Sequence, residues 1–557
     1  MDIYLTDPLW QILVLLLALG FAFISVKKPV ATLLFLPIIL PFYLVKFSIS
    51  LGFDFWDKNG FVIPTNLLEI IIGIFILLNY KLVWSGIKFL WHQKLGKYLI
   101  FSIFFLLLFS LVSAVLGVNP QVALGVAKSW FFLPIFLFFP SLSVFQWENF
   151  REKFLNFLVL GGITISLMSL PYILADIYTY DGRLAGIFLS PNHLAMALVP
   201  GILALFAILF SFSRRNIARY VPAQEFSHFA IPIPFLSSWP RVPVSNRGAG
   251  FARGKLQPGS RKNLLILILI LELFVLYLTY SYGTWLALLI ASLFIALSHS
   301  VIPSEDQSDW SKSRDPFRIP KRDSRPDDPV GQASAALRSG RNDKKSLFKG
   351  VLVGFLLLAL LFLSQLNNPK LQHILNGDYY SSLHSRLMIW QSAWKISQDH
   401  WLFGIGGGNF QQAYLDYQKY FPEPYIEWAV PMPHNIFLAF STQLGVFGLA
   451  SFLTIIILSI LTVIPSNVEG SLLSMFKGFL RSSPYHTVRG SGRNDKKTDF
   501  LTLWALSYLI YFLIHGLIDT PYWKNDLAII FWLAIAVIWT ASCSSTLSSK
   551  GELNKTK

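Results

Sequence analysis

A single cysteine, Cys543, stands in 557 residues, which excludes an internal disulfide and any cysteine-based metal cluster. Charge is scarce as well. Only 14% of the residues are charged, where a soluble chain carries about a quarter. Acids are the scarcer sign, 30 against 46 lysines and arginines, giving a net charge of +16. That charge does not point to nucleic acid, because the basic residues fall between apolar segments, where they set membrane topology. No basic n-region precedes the first apolar run, which follows Asp2 and Asp7. That run reads as a retained span and not as a cleaved signal. No His/Asp/Glu group has metal-ligand spacing, so neither a metal nor a cofactor is expected.

What the chain has in quantity is apolar: 54% hydrophobic and 16% aromatic residues, with a mean hydropathy of +0.54. Repeated apolar runs are long enough to cross about 30 Å of hydrocarbon. The expected fold is an all-α polytopic membrane protein. Spans fall near 9–26, 29–51, 62–79, 98–118, 121–142, 154–175, 193–212, 263–281, 283–299, 347–365, 435–462, 500–518 and 522–542. These make thirteen helices, or twelve if one early segment is re-entrant. Four regions follow: N-terminal spans in 1–180, central spans in 181–366, a large extracytoplasmic loop over 367–434 with amphipathic helices, and C-terminal spans in 435–557. Alternate threading puts Lys27/Lys28, Lys81/Lys88/Lys94/Lys97, Arg151/Lys153, the insertions 213–262, 301–346 and 463–499, and the lysine-rich tail on one side. By the positive-inside rule that side is the cytoplasm. Two of the insertions open on Val-Ile-Pro-Ser (301–304, 463–466) and close on Ser-Gly-Arg-Asn-Asp-Lys-Lys (339–345, 491–497). They read as a repeated insertion tolerated in loops, with a basic patch for anionic lipid or nucleic acid as the other reading.

The stretch from Ser381 to Gly448 changes character, crowding aromatic, charged and glycine residues between apolar helices. Leu383, Leu387, Trp390 and Trp394 recur at the spacing of an amphipathic helix on a membrane surface. Arg386 sits beside that stripe and would be partly desolvated. His434 closes the loop where a span begins at Asn435. Under the threading above Arg183, Tyr282-Gly283, Arg386, His434 and Asp519–Asp526 share the outer side, as do the starts of several helices. Helix N-termini with two arginines make an anion site, and a pyrophosphate suits it better than a carboxylate. A histidine at a helix N-terminus is held neutral by the dipole and can act as a general base; its bland reading is a cap. For Arg183 and Arg386 the bland reading is headgroup snorkelling. His193, His384 and His515 read as structural. Gly404-Ile-Gly-Gly-Gly-Asn409 lacks the context of a nucleotide loop and reads as a tight turn. The outer acids Asp181, Glu423, Glu427 and Asp519 look scattered.

Several segments together resemble the O-antigen ligase family, which includes O-antigen ligases, polysaccharide-repeat polymerases of the Wzy type and protein O-oligosaccharyltransferases. They are Arg183-Leu-Ala-Gly-Ile-Phe-Leu-Ser-Pro-Asn192, Ser385-Arg-Leu-Met-Ile-Trp390, Phe403–Phe410, Pro433-His-Asn-Ile-Phe437, Leu444–Gly448 and His515-Gly-Leu-Ile-Asp-Thr520. The resemblance implies a GT-C-like membrane glycosyltransferase on the outer face of the bacterial inner membrane, taking a glycan from undecaprenyl diphosphate. It implies that Arg183 and Arg386 hold the diphosphate and that His434 activates the acceptor hydroxyl, with Asn192, Asn435 and Lys524 in support. The acceptor stays open among lipid A core, a second lipid-linked glycan and a protein hydroxyl. Two positions depart from the family pattern: Tyr282 stands where many members have arginine, and Gln443 where many have an acid. A flippase of lipid-linked sugars is the competing reading, but Lys46, Glu69 and Glu272 look isolated and the spans show no repeats.

Overall fold

The computed structural model describes residues 3–4, 8–51, 61–215, 258–300, 360, 363–364, 372–373, 376–378, 381–420, 427–463, 485–487, 496–498 and 500–553. Most of the expected span near 347–365, most of the three basic insertions, and Glu423 lie outside these residues.

Helices α1 (Pro8–Lys27) and α2 (Pro29–Ile39) open the bundle. The apolar run expected to span through residue 51 divides after α2. Pro37 and Pro41 interrupt helical hydrogen bonding, and a 3-10 turn follows at Leu40–Leu44. The alternating Val45–Leu51 then forms a strand, β2, antiparallel to β3 (Phe61–Asn66) and parallel to the short β1 (Ile3–Tyr4). The run near 62–79 is likewise no single span. Helix α3 (Leu67–Leu78) turns by 76° into α4 (Tyr80–Trp91). The lysines of α4 therefore ride on an amphipathic helix packed against the bundle, not on a loop.

The remaining helices follow the expected order: α5 (Gly96–Leu116), α6 (Pro120–Val144), α7 (Glu148–Leu174), α8 (Pro191–Arg215), α9 (Pro258–Tyr277) and α10 (Tyr282–Ser300). Helix α6 carries a π turn at Ala127–Phe132. Then come α11 (Ser382–Asp399), α12 (Phe410–Tyr417), α13 (Ile436–Val463), α14 (Phe500–His515) and α15 (Asn525–Leu553). Among the described residues five helices are long and apolar enough to cross a membrane, or six if α3 and α4 form one broken span. Shorter apolar helices, α10 and α14 among them, pack between these.

Helix α14 and the first half of α15, to Thr540, are apolar on nearly every side and buried along most of their length, as central helices must be. Trp504, Trp523, Trp532 and Trp539 fill the space around them. Outward faces stay apolar: Phe101, Phe104, Leu267, Ile270 and Ile457 are exposed. So much exposed hydrocarbon on span-length helices fits a lipid environment.

Candidate active site

Four segments meet at one end of the bundle: the loop 175–190, the first turn of α8, the turn 516–524 and the stretch ending in His434. Arg183 is drawn in by its own loop. The Thr179 hydroxyl donates to the Arg183 carbonyl at 2.9 Å, and the Leu184 N–H donates to the carbonyl of Leu278, just past α9, at 2.9 Å. Its guanidinium is buried. Nε donates to the Thr279 carbonyl at 2.7 Å, Nη2 donates to the Asn192 side-chain oxygen, and Nη1 lies 3.7 Å from Asp181. The Asn192 amide then donates to Asp519 Oδ2 at 2.9 Å. The other Asp519 oxygen lies 3.2 Å from His434 Nδ1. Arg183, Asn192, Asp519 and His434 thus form one continuous polar chain.

Burial would raise the Asp519 carboxyl, but His434, His515 and Arg386 outweigh it and hold the carboxyl well below the ordinary carboxylate range. Burial also pulls the Arg183 guanidinium below its usual value; Asp181 and Asp519 offset part of this, while Arg386 adds to it. An arginine remains charged at neutral pH all the same. Arg386 therefore acts on both Arg183 and Asp519. It lies half-buried on α11, and its Nε is buried with no hydrogen-bond partner among the described residues. That is the partial desolvation expected from its place beside the stripe.

The stripe itself faces away from the protein. Leu383, Leu387 and Trp394 are exposed, while Ser385, Ile389, Ser392, Ala393 and Ile396 form the buried face. Trp390 departs from the stripe: it is half-buried, and its indole N–H donates to the His434 carbonyl at 3.3 Å. His434 has a positive φ of 48°, a conformation uncommon outside glycine. Asn435 holds it there from the far side. Its side-chain oxygen accepts from the N–H groups of Phe437 and Leu438, and its amide donates to the Leu517 carbonyl at 3.0 Å. Asn435 is thus the cap of α13, and His434 precedes it.

Asp519, one of the acids that look scattered in the sequence, lies at the centre of the cluster. Its signal in the sequence was its place in His515-Gly-Leu-Ile-Asp-Thr520, at the far end of the chain from its partners. His515 lies behind it, buried and stacked on Tyr511, and its carbonyl accepts the Asp519 N–H at 2.9 Å. Glu69 is likewise not isolated. It pairs with Lys128 at 2.7 Å and accepts from Thr65, Asn66, Ser129 and Asn525. His193 is buried 3.0 Å from Asp526 at the start of α15. The turn carrying Asp519 is therefore anchored at its other end by Asn525 and Asp526, with the half-buried Lys524 beside them. Glu427 is spent on Ser385, whose hydroxyl donates to it at 2.8 Å. Among the described residues no three potential metal ligands converge.

A neutral imidazole whose Nδ1–H donates to a buried carboxylate presents Nε2 as a proton acceptor. The Arg386 guanidinium, half-buried with its Nε unpartnered among the described residues, acts on the same Asp519 carboxylate. The pair can deprotonate a hydroxyl and hold an anion. Residues 331–453 match the O-antigen ligase family. The O-antigen ligase match takes in Arg386, His434 and Asn435, along with α11, α12 and α13 as far as residue 453. Arg183, Asn192, Asp519 and Lys524 lie outside it; the fold brings the first three to the matched residues. Among curated proteins none matches the chain.

Proposed function

We propose that the chain is a membrane glycosyltransferase of the ligase or polymerase kind, moving a glycan from undecaprenyl diphosphate to an acceptor hydroxyl on the extracytoplasmic face of the bacterial inner membrane. The observation that carries this reading is the pairing of His434 with Asp519, in a hydrogen-bonded chain that runs through Asn192 to Arg183, with the Arg386 charge acting on the same carboxylate. His434 Nε2 takes the proton of the acceptor hydroxyl. The hydroxyl oxygen attacks the anomeric carbon, the bond from that carbon to the diphosphate oxygen breaks, and its electron pair leaves with the lipid diphosphate. Attack from the opposite face inverts the anomeric centre. Arg386, with a buried Nε free to donate, meets the developing charge. Arg183 reinforces the same field, although three of its donors face Thr279, Asn192 and Asp181. Asn192 and Asp519 are positioning residues, Asn435 fixes the backbone at His434, and Lys524 adds positive charge to the turn. Neutralisation by arginine lets the step proceed with neither metal nor cofactor. The acceptor class covers lipid A core, a lipid-linked glycan and a protein hydroxyl.

The test is transfer from a lipid-linked donor by the purified chain in liposomes, with and without EDTA. His434→Ala is expected to lower kcat by about 10²–10⁴-fold, the usual contribution of a general base. His434→Asn should do the same while tolerating the positive φ, separating chemistry from backbone strain. Arg386→Ala should raise the donor KM and lower kcat together. Full activity in these variants would overturn the assignment. Donor movement across the liposome without transfer would favour a flippase.

A further inference from the structure

Glu272 lies on α9 with both carboxyl oxygens buried and no hydrogen-bond partner among the described residues. Its surroundings are built for it. A Cβ on Gly162 of α7 would come within 2.5 Å of one carboxyl oxygen, and a Cβ on Gly201 of α8 within 3.1 Å of the other. Two glycines on two helices thus hollow out the space that the carboxyl fills. The Ser166 hydroxyl, one turn along α7 from Gly162, is also buried without a partner.

The other titratable residues of these helices stand near the helix ends in the sequence. On α7 they are Glu148, Arg151, Glu152, Lys153 and Tyr172; on α8, His193, Arg214 and Arg215; on α9 itself, Arg261, Lys262 and Tyr277. His193 is engaged by Asp526, and Arg151 by Thr502 and Thr540. None of the described ones donates a hydrogen bond to the carboxyl. An ionised carboxylate in such a place lacks solvation and counter-charge alike, so the form that fits is the neutral acid.

The same three helices position Arg183. Its loop joins α7 to α8; Asn192 opens α8; Leu278 and Thr279, just past α9, accept from Leu184 N–H and Arg183 Nε. Ser169 of α7, two turns beyond Gly162, packs on Gly186 of that loop. We propose that Glu272 is a positioning residue for Arg183: its neutral carboxyl sets the spacing of α7, α8 and α9, and losing its proton forces the junction open and releases the arginine. The reading of Arg183 as a donor-binding group rests on the function proposed above.

The experiment uses the full chain in nanodiscs, wild type against Glu272→Gln and Gly201→Ala. Infrared spectra should show a protonated-carboxyl band that is absent from Glu272→Gln. With lipid-linked donor, the wild-type KM should rise about fivefold or more as pH becomes alkaline, the scale of a coupling between sites, with kcat nearly constant. Glu272→Gln, neutral and of the same shape, should hold its KM flat over that range. Gly201→Ala should raise KM at every pH. A KM in Glu272→Gln that climbs in parallel with wild type overturns the proposal, as does an absent band. Should the chain transfer no glycan at all, the thermal midpoint still decides. A group protonated only when folded loses stability as pH rises, so the wild-type midpoint should fall at alkaline pH and that of Glu272→Gln should not. Parallel midpoints overturn it.

Discussion

Asp519 does two jobs with its two oxygens, holding His434 with one and Asn192 with the other. Removing its charge by Asp519→Asn should therefore loosen both the base and Arg183, lowering kcat by about a hundredfold or more and raising the donor KM. The same carboxyl makes a stability prediction whose sign follows from its depressed proton affinity. The folded state favours the ionised form, so the contribution is complete above the unfolded value of about 3.9 and lost as pH falls below it. The difference in thermal midpoint between wild type and Asp519→Asn should stay constant on acidification to about pH 5 and shrink below about pH 4. In Asp519→Asn the midpoint starts lower and its drop in acid is smaller. Equal acid drops in the two proteins would mean that Asp519 is not the buried anion of the site.

At the scale of elements, the turn between α11 and α12 shows how a loop far from the chemistry holds α11 in place. Gly404, Gly406 and Gly408 all have positive φ. The chain between them lies along a kink in α13 at Gly445, whose φ is 69°. Ile405 and Gly406 N–H donate to the carbonyls of Thr442 and Gln443 that the kink leaves open, and Val446 N–H donates to the Trp401 carbonyl. Gln443 completes the latch, accepting the Gly408 N–H at 2.6 Å. Gly445→Ala would put a Cβ 2.2 Å from the Leu402 carbonyl, on top of about 1–3 kcal/mol of backbone strain. It should lower the thermal midpoint and abolish transfer together. Gln443→Ala leaves the Gly408 donor unpaired, at a cost of about 1–3 kcal/mol. Gln443→Glu keeps that acceptor but gives up the amide that donates to the Ala439 carbonyl at 3.3 Å, so it too should lower the thermal midpoint. The helices were legible in the sequence because their apolar runs are long, His434 because it stands where such a run begins, and Arg183 and Arg386 because they are basic residues on the side of the threading that has few. Asp519 was not, because a single acid in a turn gains meaning only from residues hundreds of positions away. Residues 29–51 read as one span because hydropathy averages over Pro37 and Pro41, which stop a helix without lowering apolarity, and 62–79 because it does not register the strand Phe61–Asn66 or the bend after Leu78.

For the whole molecule the question is which way the bundle faces. Helix α5 fixes the two ends relative to one another. Val118, just past its last turn, donates to the Ile405 carbonyl of the glycine loop, whereas Lys94 precedes its first turn at the opposite end. The end with Lys94 also gathers Lys97, Arg151 and Lys153, and the positive-inside rule assigns such an end to the cytoplasm. The site end has Asp181, Asp378 and Asp519 and few lysines. A polyprenyl diphosphate presented on the outer leaflet would meet Arg386 there, at the level where exposed Trp394, Trp401 and Trp428 suit a headgroup interface. The single cysteine makes this orientation directly measurable. In a Cys543→Ser background, Asp378→Cys should react with a membrane-impermeant thiol reagent on intact spheroplasts, and Lys94→Cys only after permeabilisation. Both side chains are exposed in the fold, so accessibility is decided by the membrane and not by burial. The reverse pattern would place His434 and both arginines in the cytoplasm, where a donor on the outer leaflet could not reach them. The proposed reaction would then fail on topology alone, whatever the geometry of the cluster.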